Sequence, residues 1–214
     1  MKDFLKRLVD ILFPPHADMV AARAVSEETV MQKLALRRGK GNGVYTGLPY
    51  RDKDIRALIR ANKFHHCPHS AQVLAAVLFE ILAQIRDEQA LEMISASPML
   101  IPIPTSPKRR RERGGNQVEW ILDVLPKETW SECAYEPRLL ARSERESQAR
   151  IPRAMRRKNI RGAFFVPQEA WARVHGKHII LVDDVSESGA TLLDAARALK
   201  EAGAKQVLGI ALAK

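Results

Sequence analysis

The stretch that most constrains this chain is HIILVDDVSESGATLLDAARALKEAGA, residues 178–204. Its apolar run does not alternate, so both faces of the strand it predicts, over 177–185, must be covered, as in a parallel sheet. Two adjacent carboxylates, Asp183 and Asp184, end the run. A short loop follows, holding Ser186, Glu187, Ser188 and Gly189. Residues 189–202 then have the spacing of an amphipathic helix, with Gly203 as its C-terminal cap. KQVLGIALA (205–213) reads as one more strand.

Upstream, the pattern predicts more α/β alternation. MLIPIP (99–104) reads as a short strand followed by a basic loop, NQVEWILDVL (116–125) as a helix, and RLLAR (138–142) as a strand. SAQVLAAVLFEILAQIRDEQAL (70–91) is a nearly continuous helix, largely buried in its first half, and Asp54 is a candidate cap for the helix ahead of it. Residues 2–13 form an amphipathic helix stopped by Pro14-Pro15, and EETVMQKLALRR begins a second. GKGNG (39–43) is a flexible turn. The predicted architecture is therefore α/β: a mostly parallel sheet flanked by helices, with a helical extension over 1–43 and the main domain over 44–214.

Charge narrows the ligand class. The chain carries a formal +10, and residues 101–161 hold 15 Lys/Arg against 8 Asp/Glu, so +7 sits in that stretch. A concentrated positive field points to polyanions: phosphates, pyrophosphate or nucleic acid. The alternative is a solvated basic face. No run of apolar residues approaches the roughly 20 that a membrane span needs. Cys67 and Cys133 lie far apart without a CxxC, which fits a reducing cytoplasm and no disulfide framework.

Ligands of open α/β sheets bind beyond the carboxyl ends of the strands. Asp183 and Asp184 sit at such an end, and the backbone N–H groups of residues 186–191 open a helix and can bind a phosphate. Neighbouring acids grip a cis-diol or a hydrated Mg²⁺. A ribose 5-phosphate needs both features a few ångströms apart.

IILVDDVSESGAT looks like the phosphoribosyl-pyrophosphate (PRPP) motif of type I phosphoribosyltransferases. More narrowly, the chain resembles the ComF (GntX-like) family of competence-associated, phosphoribosyltransferase-like proteins. PIPTSPKRRRERGGNQ (102–117) is similar to that family's strand, basic loop and Asn-Gln, with Arg109, Arg113, Gly114, Asn116 and Gln117 matching and Gly115 in place of the usual aromatic. QARIPRAMRRKNIRGAF is similar to its hood loop, with Gln148, Arg156, Asn159 and Phe164 at matching spacing. YRDKDIRALIRANKFHH resembles the segment ahead of its long helix. Two features depart from the family. ILFPP is followed by HADMVAARAV, a stretch without cysteine, which excludes the usual structural zinc there. Arg145 stands where a Thr precedes the hood-loop glutamine.

The resemblance implies a type I phosphoribosyltransferase fold and transfer chemistry at ribose C1′. Asp183 and Asp184 would orient the ribose and hold Mg²⁺ through water. Ser186, Glu187, Ser188, Gly189, Ala190 and Thr191 would bind the 5′-phosphate. Lys108, Arg109, Arg113 and Gly114 would take the pyrophosphate, and Gln148, Arg156 and Asn159 would close over the site. Glu187 stands where the family carries Thr, whereas 6-oxopurine phosphoribosyltransferases carry an acid there. It has three readings: a base-side proton acceptor and so a catalytic residue with the acid pair, a mark of weakened turnover, or a side chain turned to solvent.

The implied function is binding of PRPP-Mg²⁺ or a phosphoribosyl nucleotide and transfer to a nucleobase-like acceptor. The alternative is a DNA-uptake accessory that binds single-stranded DNA and a competence helicase, its PRPP site regulatory or vestigial. A homodimer is also an expectation, since similar folds often dimerise. His65, His66, Cys67 and His69 crowd too tightly for one tetrahedral metal and read as packing at a helix entry. Trp120 reads as core.

Overall fold

The computed structural model describes residues 16–39, 43–87, 97–129, 133–143 and 162–214. Its frame is a six-stranded sheet of β1 (Arg37–Arg38), β2 (Val44–Leu48), β3 (Met99–Pro102), β4 (Ala134–Tyr135), β7 (His178–Val185) and β8 (Gln206–Ala213). The spatial order is β1-β2-β8-β7-β3-β4, and every pair is parallel except β1 with β2. A separate antiparallel ribbon pairs β5 (Ala141–Arg142) with β6 (Phe164–Phe165).

The helices are α1 (Ala17–Arg23), α2 (Glu27–Met31), α3 (Lys53–His65), α4 (Pro68–Asp87), α5 (Pro107–Arg113), α6 (Gln117–Leu122), α7 (Trp171–Val174) and α8 (Ala190–Glu201). Alternation along β7 decides which cover which face. Ile180 and Val182 enter a core shared with α3, α4 and α6, while Ile179 and Leu181 enter a second core with α8 and Phe164. A strand apolar on both sides is stable only in that position. Ala22, Val25 and Val30 of the N-terminal extension join the first core, and the extension also supplies the edge strand β1.

Several expectations shift in detail. The helix predicted over 70–91 is α4, starting at Pro68. Its Pro68–Arg86 segment has mean hydropathy 1.3, long and apolar enough by composition to cross a membrane, which corrects the reading that no such run exists. Most of it is buried against neighbouring elements of the same domain. Asp52, not Asp54, caps α3, accepting from the amides of Asp54 and Ile55. The basic loop after β3 is a helix. Ser106 Oγ accepts from Arg109 N at 3.3 Å, Pro107 occupies the first turn, and Gly114 at φ +76° closes α5. Serine, then proline, then glycine seven residues on is a start-and-stop signal hidden by the run of charge between. RLLAR contributes only Ala141 and Arg142 to a strand, with Leu139 and Leu140 buried beside it.

Candidate functional site

Asp183 and Asp184 close β7 at the carboxyl edge of the sheet, and both are buried, at 8% and 4% exposure. Asp183 Oδ1 accepts from the amide of Asp184, and Asp184 Oδ1 from that of Val185, each at 2.9 Å. Asp184 Oδ2 is buried with no hydrogen-bond partner. The Lys63 ammonium on α3 lies 3.5 Å away, an ion pair without hydrogen-bond geometry. Burial, then the adjacent Asp184 carboxylate, push Asp183 well above the ordinary carboxyl range, and Lys63 only partly opposes this. The adjacent carboxyls therefore resist ionising together.

The loop after the acids is tied to its own backbone. Ser186 is buried. Its Oγ accepts from Gly189 N at 2.9 Å, and its amide donates to Ala213 O at 3.0 Å. Ser188 Oγ accepts from Ala190 N at 3.4 Å. Gly189, at φ +78°, is the N-cap of α8, a conformation open to glycine at little cost. Ala190 and Thr191 form the first turn of α8, whose amide end carries partial positive charge. Glu187 and Ser188 are exposed.

Two arginines, on α5 and β5, sense the acid pair. Arg113, on α5, donates to Gln117 Oε1 at 3.2 Å and lies over the Phe64 ring at 5.4 Å. Partial burial and the nearby Arg109 lower its pKa, while Asp184 acts the other way. Arg142 of β5 behaves alike. Burial and Arg109 lower its pKa, opposed by Asp183 and Asp194. Arg113 and Arg142 thus each feel the like charge of Arg109 and one carboxylate of the acid pair. Lys108 and Arg109 are exposed on the same helix, and Gly114 ends it. Gln148, Arg156 and Asn159 lie outside the described residues.

Lys63 and Arg142 were not among the sequence candidates. Lys63 carried no motif of its own. Only the packing of α3 against the sheet brings it to Asp184. Two motif residues turn out to be scaffold. Asn116 is fully buried, accepts from Val118 N and donates to Ile103 O, which fixes α6 to the end of β3. Gln117 O accepts from Asn62 Nδ2. A Cβ on Gly115 would meet Trp120 at 2.7 Å, so the indole occupies the space beside that position. Trp120 itself is half-buried and stacks on His66. Cys67 is a buried free thiol, and His69 bonds to Val25 O, as helix-entry packing requires.

The donor set fits Mg²⁺: hard carboxylate oxygens, one of them buried and without a hydrogen bond. Asp183 and Asp184 are the residues that would hold it.

Residues 142–213 match the family model described as the phosphoribosyl transferase domain. The mostly parallel sheet flanked by helices is a type I phosphoribosyltransferase fold, and the match covers its C-terminal third. The chain is 26% identical over 154 residues to the DNA utilization protein YhgH of Escherichia coli O157:H7, covering 72% of this chain and 64% of that one. It is 31% identical over 105 residues to the competence protein ComFC of Bacillus subtilis, covering 49% of this chain and 39% of that one. The chain is thus similar to DNA-utilization and competence proteins and spans somewhat under two thirds of the YhgH length. A solved chain of the allosteric regulatory enzyme of purine biosynthesis superposes with TM-score 0.39 at 17% identity, over 71% of this chain and 30% of that one.

Proposed function

We propose that this protein binds PRPP with magnesium at the carboxyl end of β7 and transfers the phosphoribosyl group to a nitrogen of a nucleobase-like acceptor. The observation that carries this is the buried acid pair whose Asp184 Oδ2 lacks a hydrogen bond, directly ahead of the α8 amide end. Two ribose hydroxyls satisfy those oxygens, and the amides of Gly189 and Ala190 receive the 5′-phosphate in place of the serine hydroxyls. The C1′–O bond to pyrophosphate breaks with its electron pair, and a C1′–N bond forms at an oxocarbenium-like centre. Lys108, Arg109, Arg113 and Arg142 stabilise charge on the departing pyrophosphate. Bound magnesium adds neutralisation of that same charge. Cys67 and Cys133 are both buried and not joined in a disulfide, and we place the protein in a reducing cytoplasm.

Thermal unfolding tests the site. Millimolar PRPP with Mg²⁺ raises Tm by several degrees, and Asp184→Asn abolishes the rise. An unchanged Tm for the folded wild type rejects the reading.

A second reading has a separate warrant: Lys108, Arg109 and Arg111 are exposed on α5, and two relatives are named for DNA utilization and competence. In it, these cations bind single-stranded DNA, with a helicase as partner, and the PRPP site regulates. Steeply salt-dependent DNA binding that survives Asp183→Ala and Asp184→Ala supports it.

A further inference from the structure

Beyond the carboxyl ends of β7, β8 and β2 lies a cleft of about 780 Å³, within the range of small-molecule sites. Its floor is stitched by backbone. Lys214 N donates to Leu48 O at 3.0 Å, Tyr50 N to Lys214 O at 2.8 Å, and Ser186 N to Ala213 O at 3.0 Å. The cleft is lined by Val185 and Glu187 from the strand end and loop that carry the acid pair. The N-terminal extension supplies another wall through Lys33 and Arg37, and the turn before α3 supplies Tyr50 and Arg51.

Its charge is lopsided. Four cationic side chains line it, Lys33, Arg37, Arg51 and Lys214, against the carboxylate of Glu187. Lys33 is already neutralised by Asp52 at 2.9 Å and Asp54 at 2.7 Å. Among the described residues, Arg37, Arg51 and Lys214 have no acidic partner within 4.0 Å. Two guanidiniums are planar forks suited to carboxylate or phosphate. A neutral base would leave this positive field unanswered.

We propose that this cleft is the acceptor subsite and that it selects a planar nitrogen acceptor carrying an anionic group, carboxylate or phosphate. The inference rests on the PRPP reading, because the cleft adjoins that site through Val185 and Glu187. Arg37 and Arg51 bind the acceptor's anion, and Tyr50 offers a ring face to its heterocycle. Glu187, also in the lining, disfavours a second anion on that side.

Ligand-observed NMR on the full chain, without PRPP, compares nicotinate with nicotinamide and orotate with uracil. The charged member of each pair binds about tenfold more tightly. Arg51→Ala and Arg37→Ala, both exposed positions, each erase most of that preference while the PRPP-Mg²⁺ thermal shift persists. Competition by inorganic phosphate at the concentration of nicotinate assigns the anion to the phosphate type. Failure to compete assigns it to carboxylate. Equal binding within each pair, no binding of either, or indifference to both substitutions overturns the proposal and leaves the PRPP reading standing if the thermal shift is present. Binding of nicotinate through Arg51 in a wild-type protein that PRPP-Mg²⁺ does not stabilise overturns the acceptor assignment together with the transfer reading.

Discussion

Asp183 is protonated in the folded protein at pH values where the unfolded chain would ionise it, and this has a definite sign. A carboxyl whose folded pKa is raised contributes stability at low pH, and loses it as pH climbs from the ordinary carboxyl value near 3.8 through the raised value. The ligand-free protein is therefore less stable at neutral than at mildly acidic pH, as far as this group goes. Asp183→Asn raises the ligand-free Tm at pH 7.5 by a few degrees and flattens the profile above pH 4, read by thermal melts across a buffer series. Lys63→Met acts oppositely. It strips the only described cation in contact with Asp184 and costs roughly 1–3 kcal/mol in urea unfolding, below the value for a fully enclosed pair because Lys63 keeps 28% exposure. The acid doublet was legible in the sequence because it is contiguous. Its lysine was not, because contacts between α3 and β7 leave no periodic trace.

At the scale of elements, α8 does two jobs. Its amide end faces the loop, and its Asp194, buried at 5% exposure, accepts from the amides of Gly162, Ala163 and Phe164 and from Arg197 Nε at 3.0 Å. This holds the start of β6 against the helix. Asp194→Ala orphans those donors and lowers stability by about 3 kcal/mol, measured by urea unfolding. The helix after β3 shows the limit of sequence reading. A run of arginines reads as solvated charge, and only Ser106, Pro107 and Gly114 at its borders encode the helix. Gly115 is the converse: a departure from the family pattern with a local cause. Gly115→Tyr drives a ring into Trp120 and destabilises by roughly 2 kcal/mol, and Trp120→Ala recovers part of that loss, a coupling that a double-mutant cycle resolves.

For the whole molecule, the sheet was readable because β3, β7 and β8 are each too apolar to face water. β4 was not, since two residues carry no period and depend on β3 for their pairing. Fields add over the molecule as side-chain contacts do not. With a net charge of +10 and Arg113 and Arg142 both sensing the acid pair, the proposed binding of PRPP falls roughly tenfold between about 50 mM and 500 mM salt, as calorimetry would show.

The order of strands has one consequence for synthesis. β8 lies between β2 and β7, so residues 44–48 find their parallel partner only at 209–213. A nascent chain emerging from the ribosome holds β2 with its long edge open until almost everything described has been made. Stalling before position 206 exposes an apolar template for intermolecular pairing, and the same delay postpones closure of the acid pair's surroundings. This sheet is therefore assembled as a late, single event, and truncated products are marked for aggregation or proteolysis.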